Sequence, residues 1–232
     1  IAAIVGWGKV LGTIVSLLAS ECYAPGHVRR TMPLGEDRYT TYRVGEVHGR
    51  MTPRAEEVAR ALKCADSSKV TTNLWGERWS KLVINAMRNG LSAATGLSGN
   101  QRDLSEHPRD VSIRLGGQAV RVGQALGFQL EKLQVMDAET LARAGEGSAD
   151  AKAEIVDQLV TLSKTRSEEQ RPSMAQDIFK GRRTETDFIN GFVAAKGEEI
   201  GVPAPLHARM NELVKKVERR EVKASADLIK GL

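Results

Sequence analysis

Apolar positions along the chain follow two rhythms. From about Val10 to Val47 they form short runs broken by turn residues: Gly12-Thr13-Ile14-Val15, a Pro25-Gly26 turn, His27-Val28-Arg29, a Gly35-Glu36-Asp37 turn, then Tyr42-Arg43-Val44-Gly45. Such spacing predicts short strands. Thr52-Pro53 followed by Glu56-Glu57 predicts a helix start with threonine as cap and proline in the first turn, burying Val58, Ala61 and Leu62. A brief strand is expected at 69–72. Beyond Asn73 the rhythm is helical, over 74–94, 109–127, 137–145, 149–163, 173–180, 184–200 and 206–221. The expected fold is mainly α, with a small α/β piece over residues 1–73 leading into a helical domain over 74–232.

The stretch Ile1 to Ala19 is nearly all apolar, yet Lys9 interrupts it, Gly6, Gly8 and Gly12 weaken a helix, and no basic segment precedes it. Neither a membrane span nor a secretory signal is expected. A chain that opens on isoleucine is expected to lack its true beginning. Ile1 to Val5 followed by Gly6-Trp7-Gly8 imitates a strand entering a dinucleotide-binding turn, but Leu11 stands where the third glycine belongs. A helix or strand passing close to a neighbour is the better reading of these glycines. Across 232 residues, 27% are charged and the formal net charge is +5, with basic residues dispersed among acidic ones. Dispersal argues against nucleic acid as a partner. Cys22 and Cys64 have neither metal-ligand nor disulfide spacing, which fits a cytoplasmic protein that does no redox chemistry at sulfur and holds no metal.

Candidate chemistry lies on the helix that starts at Leu74. At roughly 100° per residue, Lys81, Asn85, Arg88, Asn89 and Ser92 share one stripe, while Leu82, Val83, Ala86 and Met87 take the other side. Solvated helix faces favour Glu and Lys, whereas asparagine is a middling helix former retained where its side chain has a hydrogen bond to make. Trp75 and Trp79, one turn apart, suggest packing around much of the girth. Downstream, Ser173 is expected to cap one helix and Thr184 the next, with Glu185 projecting among Phe188, Ile189 and Phe192 while Asp187 points away. A carboxylate on an apolar stripe needs a cation or donor.

Glu77-Arg78-Trp79-Ser80-Lys81-Leu82 with Asn85 and Asn89, then Pro172-Ser173-Met174, then Gly181-Arg182-Arg183-Thr184-Glu185-Thr186-Asp187-Phe188-Ile189-Asn190-Gly191, resemble the C-terminal half of ketopantoate reductases. Gly201-Val202-Pro203-Ala204-Pro205-Leu206 is similar too. The resemblance implies a helical dehydrogenase C-terminal domain of the phosphogluconate dehydrogenase kind, preceded by the α/β remnant of a dinucleotide-binding domain. It implies NADPH-dependent reduction of a 2-oxoacid, 2-dehydropantoate to pantoate in pantothenate biosynthesis. Lys81 would be the general acid, Asn85, Asn89 and Ser173 would hold the substrate, and Glu185 would orient cofactor and substrate. A homodimer is implied as well. The family commonly has proline after the second asparagine and threonine soon after, where this chain has Gly90 and Ser92, so another 2-oxoacid is open as substrate. The phosphate-binding loop would precede Ile1, so the chain alone is expected to catalyse little. The alternative is a non-catalytic interaction or dimerisation module whose polar stripe meets a partner chain.

Overall fold

The structure, a computed structural model, describes residues 1–18, 20–30, 32–36 and 38–232. Ala19, at the end of the apolar N-terminal run, and Asp37, the last residue of the expected 35–37 turn, lie outside the described residues. The chain divides into two compact units, Ile1–Lys81 and Leu82–Leu232.

In the first unit, α1 (Ala2–Val5) and a 3₁₀ turn at Trp7–Lys9 precede β1 (Leu11–Val15). Of the glycines in the imitated fingerprint, Gly6 separates the two helical turns at φ 94° and Gly8 lies within the second, and Ile1 and Ile4 are exposed. Gly12 is explained by packing: a Cβ there would lie 2.5 Å from Leu74 Cδ1. β2 (Ser20–Ala24) and β3 (His27–Arg30) form an antiparallel hairpin turning at Pro25-Gly26, where Gly26 takes φ 75°. β2 is a strand that the apolar pattern does not announce. β4 (Tyr42–Glu46) runs antiparallel to β1, with Thr13 opposite Val44, and parallel to β5 (Ser68–Val70).

The β4-to-β5 crossover is α2 (Pro53–Leu62), started as expected by Thr52, whose hydroxyl accepts from Ala55 N–H at 3.3 Å. The expected buried side needs correction. Ala55 and Ala59 are buried, with Leu62 packed beside them against Val44, whereas Val58 and Ala61 face outward. Spacing four, then three, places 55, 59 and 62 on one face. Buried Glu46 receives both Arg54 Nε and Nη2, at 2.7 and 2.5 Å, and this fork, with the Thr52 hydroxyl, pulls its carboxyl down to about 2 against the cost of burial.

In the second unit, α3 (Leu74–Thr95), which begins in the first, is followed by α4 (Gly99–Leu104), α5 (Glu106–Ala125), α6 (Ala138–Gly145), α7 (Ala149–Ser163), α8 (Ser173–Phe179), α9 (Asn190–Glu199) and α10 (Pro205–Glu218). Two expected spans change. The helix expected at 109–127 starts at Glu106, with α4 before it, and α4 is fixed by a Ser98/Gln101 capping box. The helix expected at 184–200 is broken into a 3₁₀ turn, Thr186–Phe188, and α9. Thr184 supplies the reason: its hydroxyl donates to Glu218 at 2.6 Å and accepts from Thr186 N–H at 3.4 Å, diverting the backbone from helical pairing.

A buried polar chain ties α9 and α10 to α3 and α5. Asn190 Nδ2 donates to Ala86 O at 2.8 Å and to His207 Nδ1 at 3.0 Å, and His207 Nε2–H donates to Leu115 O at 2.8 Å. The carbonyl partner fixes the tautomer, since only Nε2–H can serve it. Burial pushes the His207 imidazole down to about 4, so it stays neutral in the fold. The unfolded histidine takes a proton near 6.5, hence the unfolded state gains stability as pH falls between the two values. Melting from pH 7 to pH 4 should show a loss of roughly 3 kcal/mol from this group, absent in His207→Gln. Equal pH dependence in both proteins would refute the assignment.

Candidate active site

Helix α3 positions the site because its two sides differ in kind. Val83, Ala86 and Met87 are fully buried, Leu82 is half-buried, and Trp79 at the first unit's edge of the helix is buried too. Its first turns are anchored within the first unit, where Glu77 pairs with Arg43 at 2.8 Å and Trp75 Nε1 donates to Val47 O at 2.9 Å. Trp75 itself remains partly exposed.

Along the polar stripe, exposure falls from one end to the other. Lys81 is exposed, Asn85 half-buried, Arg88, Asn89 and Ser92 buried. The carboxamides of Asn85 and Asn89 form no hydrogen bond with protein among the described residues. Arg88 and Ser92 are committed inward: Arg88 Nη1 donates to Gln134 Oε1 at 2.8 Å, and the Ser92 hydroxyl accepts from Arg102 Nη1 at 3.3 Å. The stripe thus divides into Arg88 and Ser92, each bonded to a residue from another part of the second unit, and the set Lys81, Asn85 and Asn89. Spacing of four keeps these three within one turn-to-turn row.

Ser173 is the first residue of α8 and exposed, with Pro172 in the cap position and no side-chain cap, which corrects the expected capping role. Glu185 is also corrected. It is exposed at the start of the 3₁₀ turn, not projecting into a buried stripe; Phe188 is 77% exposed and Phe192 exposed, while Ile189 alone of the three is buried. Asp187, expected to point away, receives Asn211 Nδ2 and Lys215 Nζ, each at 3.0 Å. Those two donors lower its carboxyl below the usual range. No hydrogen bond joins Ser173 or Glu185 to the α3 stripe among the described residues. The segment bearing Glu185 is nonetheless fastened to α3 five residues later through Asn190. There Gly90 admits the contact, since a Cβ at that position would lie 2.5 Å from Asn190 Oδ1 and 3.0 Å from Met210 Cγ.

Sequence reasoning missed Asn190, His207 and the Arg102–Asp103–Arg166 cluster. The Ser98-x-x-Gln101 pattern was the available sign of α4, which carries Arg102 and Asp103. Among the described residues no group of three His, Cys, Asp or Glu side chains could hold a metal ion, and no helix is long and apolar enough to cross a membrane.

The fold is that of a helical C-terminal domain preceded in the chain by a short α/β segment. The family model described as "Ketopantoate reductase PanE/ApbA C terminal" matches residues 73–218, more than half of the chain. The chain belongs to the ketopantoate reductase family, a family of oxidoreductases, and carries its C-terminal domain. It is 27% identical over 176 residues to a 2-dehydropantoate 2-reductase of Archaeoglobus fulgidus, covering 75% of this chain and 52% of that protein. The chain spans about half the length of such curated relatives. In fold it is similar to a putative ketopantoate reductase of Ralstonia solanacearum, with TM-score 0.73, 20% identity, and coverage of 95% of this chain and 58% of that one. It is similar also to a D-mandelate dehydrogenase solved with NADH and anilino(oxo)acetate, with TM-score 0.71, 18% identity, and coverage of 94% and 63%.

Proposed function

We propose that this chain is the catalytic portion of an NADPH-dependent reductase that converts a 2-oxoacid to a 2-hydroxyacid, with 2-dehydropantoate to pantoate, a step of pantothenate biosynthesis, as the first pair to test. The observation that carries this reading is the row Lys81, Asn85, Asn89, in which a lysine stands beside two carboxamides that have no protein hydrogen bonds among the described residues, on a family-matched helix.

Reducing the ketone places a hydride on carbon and a proton on oxygen, and the nicotinamide supplies the hydride. Lys81 Nζ–H hydrogen-bonds the keto oxygen, stabilises its growing negative charge and passes it the proton, leaving a neutral amine that solvent reprotonates. Asn85 and Asn89 bind substrate oxygens without adding charge, and the exposed Ser173 hydroxyl donates to the carboxylate. The exposed Glu185 carboxylate would orient the bound cofactor and substrate. Gly6 and Gly8 form no phosphate cradle: a Cβ at either would meet nothing within 4 Å, and Gly6 joins two short helical turns where a cradle would need a strand-to-helix loop. In the complete protein we place the reaction in the cytoplasm, on a small-molecule substrate, in a homodimer, with neither nucleic acid nor membrane as partner.

A second reading, reduction of a different 2-oxoacid, is favoured by Gly90 and Ser92 and by the buried arginine between the two asparagines. The experiment is NADPH oxidation by protein with a complete dinucleotide-binding domain, offered ketopantoate and a panel of 2-oxoacids. Turnover of ketopantoate above the others supports the first pair and turnover of another acid the second. A folded, NADPH-binding protein that reduces none of them would refute both.

A further inference from the structure

The buried end of the α3 stripe holds a charge arrangement that the reaction above leaves unused. Arg88, Arg102 and Arg166 bring three guanidinium groups together around Asp103, three positive charges against one negative. Arg102 Nε donates to Asp103 Oδ1 at 2.7 Å and Arg166 Nη2 to Oδ2 at 2.5 Å. Arg88 is 8% exposed and Arg102 1%. All these residues belong to the second unit.

Arg88 spends one edge of its guanidinium on Gln134 through Nη1. Its Nε and Nη2, and Nη2 of Arg102, are buried without an acceptor among the described residues. Nε–H and Nη2–H are the parallel pair that matches the two oxygens of a carboxylate. Buried donors of a charged group rarely go unmatched, because the loss of water is then uncompensated. Burial, with repulsion from Arg102 and Arg166 outweighing the pull of Asp103, pushes the Arg88 guanidinium down to about 9. The residue covering it is itself unusual. Gln134 is exposed, with φ 61°, a region that non-glycine residues rarely adopt. A neutral carboxamide oxygen thus occupies the Nη1 edge of Arg88 and leaves the Nε/Nη2 pair without an acceptor among the described residues.

We propose that this cluster binds a carboxylate and, resting on the reductase reading, that it selects a 2-oxoacid carrying a second carboxylate remote from its keto group. Arg88 adjoins Asn89 and follows Asn85 by three residues, on the side of α3 assigned to substrate. From Lys81 it is seven residues away, a rise of about 10 Å along the axis. The acid group bonded directly to the keto carbon does not span that separation, even with both side chains leaning inward; a carboxylate further along the substrate does.

Calorimetric titration of the chain with 2-oxoglutarate, 2-oxopentanoate and inorganic phosphate tests the site without cofactor or turnover. Binding of 2-oxoglutarate should exceed that of 2-oxopentanoate by about tenfold or more, the order expected of one charge-assisted fork, and Arg88→Leu should erase the difference. Because the variant removes a charge with orphaned donors, its Tm should not fall; Gln134→Ala, an exposed change, should retain the preference. Equal binding of the two oxoacids, or an unchanged preference in Arg88→Leu, would overturn the proposal, and so would phosphate binding as tightly as 2-oxoglutarate. Kinetics on protein with its complete dinucleotide-binding domain separate the two layers. Reduction of monocarboxylic oxoacids with no advantage for the dicarboxylic one keeps the reductase and overturns the selection. Arg88-dependent binding of 2-oxoglutarate with no reduction of any oxoacid keeps the carboxylate site and sinks the reductase.

Discussion

Lys81→Ala, in protein that carries its complete dinucleotide-binding domain, is expected to lower kcat by about 10²- to 10⁴-fold, the range of general acid catalysis, with NADPH affinity nearly unchanged. The expectation follows from position. Lys81 is the exposed head of a row whose next members, Asn85 and Asn89, have carboxamides without protein hydrogen bonds among the described residues. Removing a group that acts on developing charge lowers kcat and kcat/KM together, whereas removing a simple binding contact raises KM alone. Stopped-flow measurement of a single turnover isolates the chemical step. A variant that turns over within about threefold of the parent, well short of that range, would remove Lys81 from the role. One that loses only substrate affinity would recast it as a binding residue.

The second large effect concerns stability. Asp103→Ala is expected to cost about 3–5 kcal/mol, because it leaves buried guanidinium groups without their carboxylate. Asp103 is fully buried and accepts from Arg102 and Arg166 on separate oxygens. Burial pushes its carboxyl up, but Arg102, Arg88 and Arg166 together bring it below the ordinary range, so it is ionised at neutral pH. Urea denaturation gives the measurement. Adding Arg88→Leu to Asp103→Ala should recover part of the loss, as contacting charges are not additive. A loss below about 1 kcal/mol, the scale of an exposed ion pair, would mean that the carboxylate is not the counter-charge of this cluster.

What could be read ahead of the structure depended on whether neighbours in sequence decide the outcome. The start of α2 is local: Thr52 and Pro53 cap and begin it with their own atoms. The span of α7, Ala149–Ser163, was legible because its apolar spacing and its ends are both local. Glu185 was misplaced since the break before α9 depends on Glu218, 34 residues away, receiving the Thr184 hydroxyl. The site stripe was legible as a stripe, yet its division was not. Periodicity registers that Arg88 and Ser92 share a side with Lys81, but only Gln134 and Arg102, arriving from other elements, decide that these two turn inward. In the same way Val58 kept the right period for burial on α2 and lost it to the smaller Ala55 and Ala59, which allow the helix to lie close to Val44.

The contact at Gly90 constrains how this protein can change. With no side chain at 90, the Asn190 carboxamide and Met210 lie directly on the backbone of α3, so positions 90, 190 and 210 form one fitted joint between three helices. A residue grafted at 90 from a relative would wedge α9 outward and carry the Glu185 segment with it. A chimaera that exchanges all three positions together should keep its fold, and one that exchanges position 90 alone should lose the alignment of a segment it does not touch in sequence.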